Sequence, residues 1–138
     1  MLRMEVELRF AGVPRIGALA VHYWFVTKEV GHRDRWEIWH RSDDGGESVG
    51  HLHRNLMHPD AHVGGSPMRL ERHWAGDSAR RIANTLQLSW ETYPYRDRYR
   101  VFPGPNSNTY VAWVLRNAGI AHRLSLRGIG QGFIDRWW

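Results

Sequence analysis

The sequence predicts an α+β fold in which an antiparallel sheet of four to six strands packs against two main helices. Three observations lead to this prediction. Apolar and charged residues alternate strictly near the N-terminus, the next segment is apolar on both faces, and two helical apolar stripes occur late in the chain. Because the strands precede the helices instead of alternating with them, the sheet is expected to be antiparallel. The length of 138 residues predicts a single domain over residues 1–138.

The strand pattern recurs through the first half of the chain. Residues 2–10 alternate between apolar and charged side chains, which is typical of a half-buried strand. Residues 18–27 are apolar on both faces apart from His22, which predicts a strand in the middle of the sheet. Further strands are predicted at residues 35–41, 51–56, 68–74 and 99–102, with a turn at 42–48 and a loop at 57–67.

Two helices are predicted in the second half. For the first, Gly76-Asp77-Ser78 offers an N-cap, and the helix is expected to end before Tyr93-Pro94. For the second, residues 106–109 supply a run of capping side chains, and Gly119 is a C-terminal stop. The predicted apolar faces consist of Ala79, Ile82, Ala83, Leu86 and Trp90 in the first helix, and of Tyr110, Val111, Val114, Leu115 and Ala118 in the second.

Composition excludes several classes of protein. The chain has no Cys, which excludes a thiol nucleophile, a disulfide scaffold, an iron–sulfur cluster and cysteine-ligated zinc. It contains neither the roughly 18 consecutive apolar residues that a membrane span needs nor a signal peptide, so we expect a cytoplasmic protein without a membrane partner. The formal net charge is +5, but the Arg residues are interspersed with acids, which disfavours a nucleic-acid partner. No cofactor is expected.

The polar run at residues 106–109 is the first candidate for chemistry. It lies at the predicted start of the second helix, where unpaired backbone N–H groups and the helix dipole favour negative charge. Ser107 is the candidate nucleophile, with Asn106, Asn108 and Thr109 as binding residues and nearby N–H groups, those of Asn108 and Thr109, as oxyanion donors. The same residue types are also the ordinary N-cap residues, so a purely structural role stays open.

His22 is the second candidate, because a His inside an apolar central strand is costly unless it is hydrogen-bonded or titrates usefully. His40, at the end of the next predicted strand, is expected to orient it, as the third member of a triad does. Tyr23 and Trp24, beside His22, are expected to contribute to substrate binding. A structural His22 remains the alternative.

His51 and His53 form an His-x-His pair whose rings would share one face of a strand. With His58 and His62 nearby, a metal site is conceivable on residue type alone. No carboxylate stands at a companion spacing, and ordinary surface or loop-packing histidines are the favoured interpretation. We therefore assign no metal ligand.

One sequence block resembles a bacterial family, the domain of unknown function 3750. This block consists of YPYRDRYR at residues 93–100 followed by PGPNSNTYVAWVL. Further matching elements are VPRI at 13–16, AVHYWF at 20–25 and Gly128-Ile129-Gly130. The resemblance covers nearly the whole chain and implies no particular activity.

The order of elements is also similar to that of circularly permuted papain-like (NlpC/P60-like) hydrolases and acyltransferases. These carry a His on an early strand and a Cys at the start of a later helix. By motif, the resemblance places their His at His22 and their nucleophile at Ser107. Because a Ser hydroxyl is much harder to ionise than a thiol, His22 must then act as a general base, or the site binds without reacting.

Two functions are therefore predicted from the sequence. The first is hydrolysis or transfer of an amide or ester group through Ser107 and His22. The second is a non-catalytic relative that binds a small molecule or a peptide at the same place. A His-ligated metal protein and a nucleic-acid binder are less favoured.

Overall fold

A computed structural model describes residues 3–134 of the protein. It contains six strands and two helices and confirms the α+β class. The elements are β1 (Glu5–Gly12), β2 (Val21–Glu29), β3 (His32–Ile38), β4 (Glu47–Val49), β5 (Leu52–Arg54), β6 (Arg69–Ala75), α1 (Gly76–Thr92) and α2 (Ser107–Asn117).

The six strands form one antiparallel sheet in the order β4-β5-β3-β2-β1-β6. The first six residues of β2 are buried, which explains why its sequence is apolar on both faces. Residues of β1, β2, α1 and α2 meet in the main hydrophobic core, so both helices cover the same face of the sheet. The predicted central strand is confirmed.

The opposite face of the sheet is covered by loop instead of helix. Its small apolar cluster joins Ala11, Trp24 and Val26 of the sheet to Val63 of the loop between β5 and β6. The same face carries buried ionisable side chains, which include His22, Arg35 and Glu37. This second face therefore has a smaller apolar cluster than the first and buries several charged or ionisable groups.

Helix α2 begins and ends as predicted. Asn106 is its N-cap, and the Asn106 and Thr109 side chains form a reciprocal capping box. At the other end, Gly119 has a φ of 70°, a conformation that favours Gly because it lacks a Cβ atom. Its N–H donates to the carbonyl of Arg116.

Three predicted local features are wrong. Residues 42–48 are not only a turn, because Glu47–Val49 forms β4 by pairing with β5. Residues 99–102 do not form a strand. The N-cap of α1 is Ala75, which makes no side-chain capping hydrogen bond, so Gly76-Asp77-Ser78 lies within the helix.

Among the described residues, no helix is both long and apolar enough to cross a membrane.

Candidate functional site

The start of α2 is attached directly to the central strand. The paired register of β2 and β3 ends at Phe25 and Trp36, and beyond that point the Asn108 side chain bonds the free edge of β2. Its Oδ1 accepts from the Tyr23 N–H at 3.0 Å, and its Nδ2 donates to the Val21 carbonyl at 2.8 Å. These two groups flank His22, so the segment that carries Ser107 is fixed to the segment that carries His22.

The side chains at the start of α2 serve mainly to cap it. Asn106 Oδ1 accepts from the N–H groups of Asn108 and Thr109, at 2.9 and 3.3 Å. Because both N–H groups are used in this way, they are not free to bind an oxyanion, which corrects the sequence-based expectation. Ser107 is 6% exposed, and its Oγ lies 3.5 Å from Asn108 Oδ1. Its own backbone N–H has no partner among the described residues.

His22 is paired with a buried carboxylate that the sequence reasoning did not single out. Its Nε2 lies 2.8 Å from Glu37 Oε2, and Glu37 in turn accepts two hydrogen bonds from Arg35, at 2.7 and 3.0 Å. The Glu37 and Arg35 side chains are both 0% exposed. The other His22 nitrogen, Nδ1, makes no hydrogen bond within the described part of the chain.

The charges around Glu37 keep it ionised. Burial raises the pKa of its carboxyl, but the hydrogen bonds and electrostatic interactions with His22 and Arg35 outweigh burial and hold the pKa below its ordinary value of 4.5. Arg35 also donates to the Ala61 carbonyl at 3.0 Å and lies 4.0 Å above the Trp24 ring. The guanidinium is thus held on several sides, and Glu37 has a fixed cationic neighbour.

The predicted binding residues beside His22 are core residues. Tyr23 and Trp24 are both 0% exposed, so neither offers a surface to a ligand. The Tyr23 hydroxyl donates to Glu71 and accepts from the Ser125 N–H, and burial raises the pKa of Tyr23. The Trp24 ring stacks on His22, and its indole N–H has no partner among the described residues.

His40 lies apart from the His22–Glu37 pair. It is exposed, and its ring contacts those of Trp39 and Tyr99. Trp39 lies between the two imidazoles, because its ring also meets that of His22 edge-on. Burial lowers the pKa of His40. The group placed to orient His22 is Glu37 and not His40.

The His51 and His53 rings are used in local hydrogen bonds. His53 is 0% exposed, its Nε2 accepts from the Asp44 N–H, and its Nδ1 bonds the His51 carbonyl. The Nδ1 atom of His51 bonds the Trp39 carbonyl. No group of three or more metal-ligating side chains occurs among residues 3–134. His51 and His53 therefore have a structural role at the edge of the sheet formed by β4 and β5.

The C-terminal segment of the described chain crosses the start of α2. Asn108 Nδ2 donates to the Ile129 carbonyl at 3.0 Å, and Thr109 Oγ1 donates to the Gly130 carbonyl at 2.7 Å. A Cβ atom on Gly130 would lie 2.3 Å from Asn106 Nδ2, and the residue has a φ of 99°. The close approach of this segment to the Asn106 amide therefore requires Gly.

Replacing Gly130 by Ala should test this crossing. The new methyl group collides with the N-cap amide and forces a φ that Ala avoids, so we expect the free energy of unfolding to fall by about 2–4 kcal/mol. Urea denaturation measures the change. Gly132→Ala is the matched control, since nothing lies within 4 Å of its Cβ position; equal effects of the two variants would contradict the crossing.

Comparison with known proteins gives a family. A family model described as "Protein of unknown function (DUF3750)" matches residues 3–133. The chain belongs to this family. No curated protein and no solved structure matches the chain. For this family member, the likeness to permuted papain-like enzymes therefore stays a prediction.

Sequence reasoning missed the carboxylate partner of His22. A weak signal was present in this DUF3750 sequence: Arg35 and Glu37 are opposite charges two residues apart in a predicted strand, so they share one face. The neighbouring strand presents Trp24 and His22 at the same spacing. Matching the two faces would have suggested Glu37 as a partner for His22.

Proposed function

We propose that this DUF3750 protein is a serine-type hydrolase or acyltransferase that acts on an amide or ester. Ser107 is the nucleophile, His22 is the general base, and Glu37 orients His22. One observation carries the proposal: the buried, ionised Glu37 is hydrogen-bonded to His22, and the helix that begins at Ser107 is bonded to both sides of His22 through Asn108.

The hydrogen bond to Glu37 selects the reactive nitrogen of His22. With Nε2–H donating to the carboxylate, the neutral ring has its lone pair on Nδ1. In the proposed reaction, Nδ1 takes the Ser107 hydroxyl proton as Oγ attacks the substrate carbonyl carbon. The imidazolium that results is stabilised by Glu37 and returns the proton to the leaving amine or alcohol. Water or an acceptor amine or alcohol then releases the acyl group by the reverse sequence.

The oxyanion would be bound at the helix start. The N–H groups of Asn108 and Thr109 are held by the cap, which leaves the Ser107 N–H in the first turn as the donor. Its position at the positive end of the α2 dipole favours a developing negative charge. The roles of Asn106 and Asn108 are then to hold the helix start in place.

Ser107→Ala tests the proposal. The purified protein would be assayed with p-nitrophenyl acetate and labelled with a fluorophosphonate probe, with the modified peptide identified by mass spectrometry. We expect labelling of Ser107 and at least about a hundredfold loss of turnover in the variant. Ser48→Ala, at the edge of the sheet, is the matched control. Full turnover in Ser107→Ala, or absence of label from Ser107, would remove it as the nucleophile.

The second candidate is a non-catalytic relative that binds a small molecule or peptide at the same site. The limited exposure of the reactive groups favours it: Ser107 is 6% and His22 7% exposed. In that case Ser107→Ala leaves function unchanged and costs at most about 1 kcal/mol of stability. NMR titration with an N-acetyl dipeptide amide would shift the amide signals of residues 106–109 without any turnover.

A further inference from the structure

We propose that the end of the molecule around the start of α2 docks on an anionic lipid surface. Three loops meet there: residues 13–20 between β1 and β2, residues 100–105 before α2, and residues 125–132 after it. This surface, which we call the loop face, is independent of the proposed catalysis. The proposal departs from the sequence-based expectation of no membrane partner, which rested on the lack of a spanning segment, because peripheral binding needs no membrane-spanning helix.

Each of the three loops exposes large apolar side chains. Leu126 is 90% exposed, Phe102 75% and Leu19 73%. Their exposed neighbours are Ile16, Val101 and Ile129. Six exposed apolar side chains at one end of a protein of this size are unusual for a surface that meets only water.

Hydrogen bonds hold the loops together as one surface. The Val21 N–H donates to the Arg127 carbonyl at 2.9 Å, and the Arg127 guanidinium donates to the Gly17 carbonyl. Asn106 Nδ2 donates to the Val101 and Ile129 carbonyls, at 2.8 and 3.0 Å. The three loops are thus bonded to one another or to the same side chain. Phe102, Leu126 and Ile129 also line one shallow cavity of about 240 Å³.

The charge of the loop face selects the partner. Each loop contains one Arg, namely Arg15, Arg100 and Arg127, and none contains Asp or Glu. Elsewhere in the protein, several Arg side chains are paired with carboxylates, among them Arg9, Arg33 and Arg54. A face with cations, apolar tips and no carboxylate matches an anionic headgroup layer over hydrocarbon.

Other occupants fit this face less well. The apolar side chains stand on three separate loops. The shallow cavity of the face is lined by Phe102, Leu126 and Ile129 but not by Ile16, Leu19 or Val101, whereas a peptide would need a groove along its whole length or a free strand edge. Phe102 is the one aromatic side chain among the exposed apolar residues of the face, whereas single-stranded nucleic acid is bound through several stacked aromatics. A lipid layer can take up apolar side chains from separate loops, and it requires neither a continuous groove nor stacked aromatic rings.

Vesicle co-sedimentation tests the proposal with the unmodified chain. Vesicles of phosphatidylcholine containing phosphatidylglycerol should bind the protein, and phosphatidylcholine alone should bind it more weakly. The double variant Phe102→Ser/Leu126→Ser should lose at least about tenfold in partition coefficient, and Arg100→Gln about fivefold. Val30→Ser and Arg80→Gln are the controls, since Val30 is 75% exposed at the opposite end of β2 and Arg80 is exposed on α1.

The outcomes separate the alternatives. Selective loss of binding in the loop-face variants, with the two controls unchanged, supports the proposal. The proposal is overturned by absence of binding to the anionic vesicles, or by equal binding of the double variant, which would indicate charge attraction alone. A dimer in gel filtration that the double variant dissociates, without vesicle binding, would overturn it in favour of a second copy. Because no turnover is measured, failure of the catalytic proposal leaves this test unaffected.

Discussion

Glu37→Gln is expected to lower the free energy of unfolding by about 3–5 kcal/mol, because it leaves the Arg35 guanidinium buried without its counter-charge. The Gln amide keeps nearly the same shape, so packing changes little. Arg35 is fully buried, and two of its nitrogens bond Glu37. Urea denaturation at neutral pH measures the loss. Breaking one side of a buried ion pair is costly even where the pair itself adds little net stability.

Two further variants test whether burial of the ion pair causes this loss of stability. Glu47→Gln removes the carboxylate from another Arg–Glu pair, with Arg54, but Glu47 is exposed, so its effect should be small. The double variant Arg35→Met/Glu37→Leu removes both charges and should recover much of the stability lost in Glu37→Gln. Equal losses in Glu37→Gln and Glu47→Gln would contradict the assignment of a buried network.

The same network predicts how stability changes in acid. The pKa of Glu37 is lower in the folded protein than its ordinary value of 4.5, so the contribution of this carboxylate is present above that value. It is lost as the pH falls through the folded pKa. The pKa of Asp60 is also lowered, by hydrogen bonds from Arg33 and Arg9, so it adds to the same acid-induced loss. Glu37→Gln should therefore weaken the dependence of stability on pH below about 4.5.

The elements that sequence could predict are those whose own residues specify them. Strand β1 follows from strict alternation, β2 from apolar residues on both faces, and α2 from its capping run and Gly119. Strand β4 has three residues and no periodicity of its own. It exists because β5 offers a pairing edge, and a sequence window does not contain that information.

The candidate site likewise has features that follow from local sequence and features that depend on the folded sheet. Asn106 as a cap and His22 as an unusual core residue follow from local sequence. The His22–Glu37 pair depends on where β2 and β3 cease to pair, which is a property of the sheet. The sequence points to His40 because it lies at the end of the strand predicted at residues 35–41, whereas Glu37 lies in the middle of that strand with its side chain on the His22 face. The sequence also could not show that the Asn106 side chain occupies the Asn108 and Thr109 N–H groups. The same residue types suit a helix cap and an oxyanion site.

Asn108→Ala is expected to lower the free energy of unfolding by about 3 kcal/mol, because it leaves two buried backbone groups, the Tyr23 N–H and the Val21 carbonyl, without their partner. The Asn108 amide bonds the Tyr23 N–H and the carbonyls of Val21 and Ile129, and the residue is 3% exposed. Where β3 no longer pairs with β2, this side chain takes the place of a neighbouring strand. Its loss should therefore loosen the attachment of α2 to the central strand as well as destabilise the fold.

Hydrogen exchange distinguishes that attachment from a general loss of stability. In Asn108→Ala, the Tyr23 amide should exchange much faster. The Phe25 amide lies in the part of β2 that is paired with β3, so its exchange rate should rise only as far as the loss of global stability requires. Asn117→Ala, at the exposed C-terminal end of α2, is the matched control and should change neither amide. Protection of Tyr23 equal to that of Phe25 in Asn108→Ala would mean that another group holds β2 at His22. The helix start would then not be what fixes Ser107 to that strand, and the geometric basis for a Ser107–His22 site would be lost.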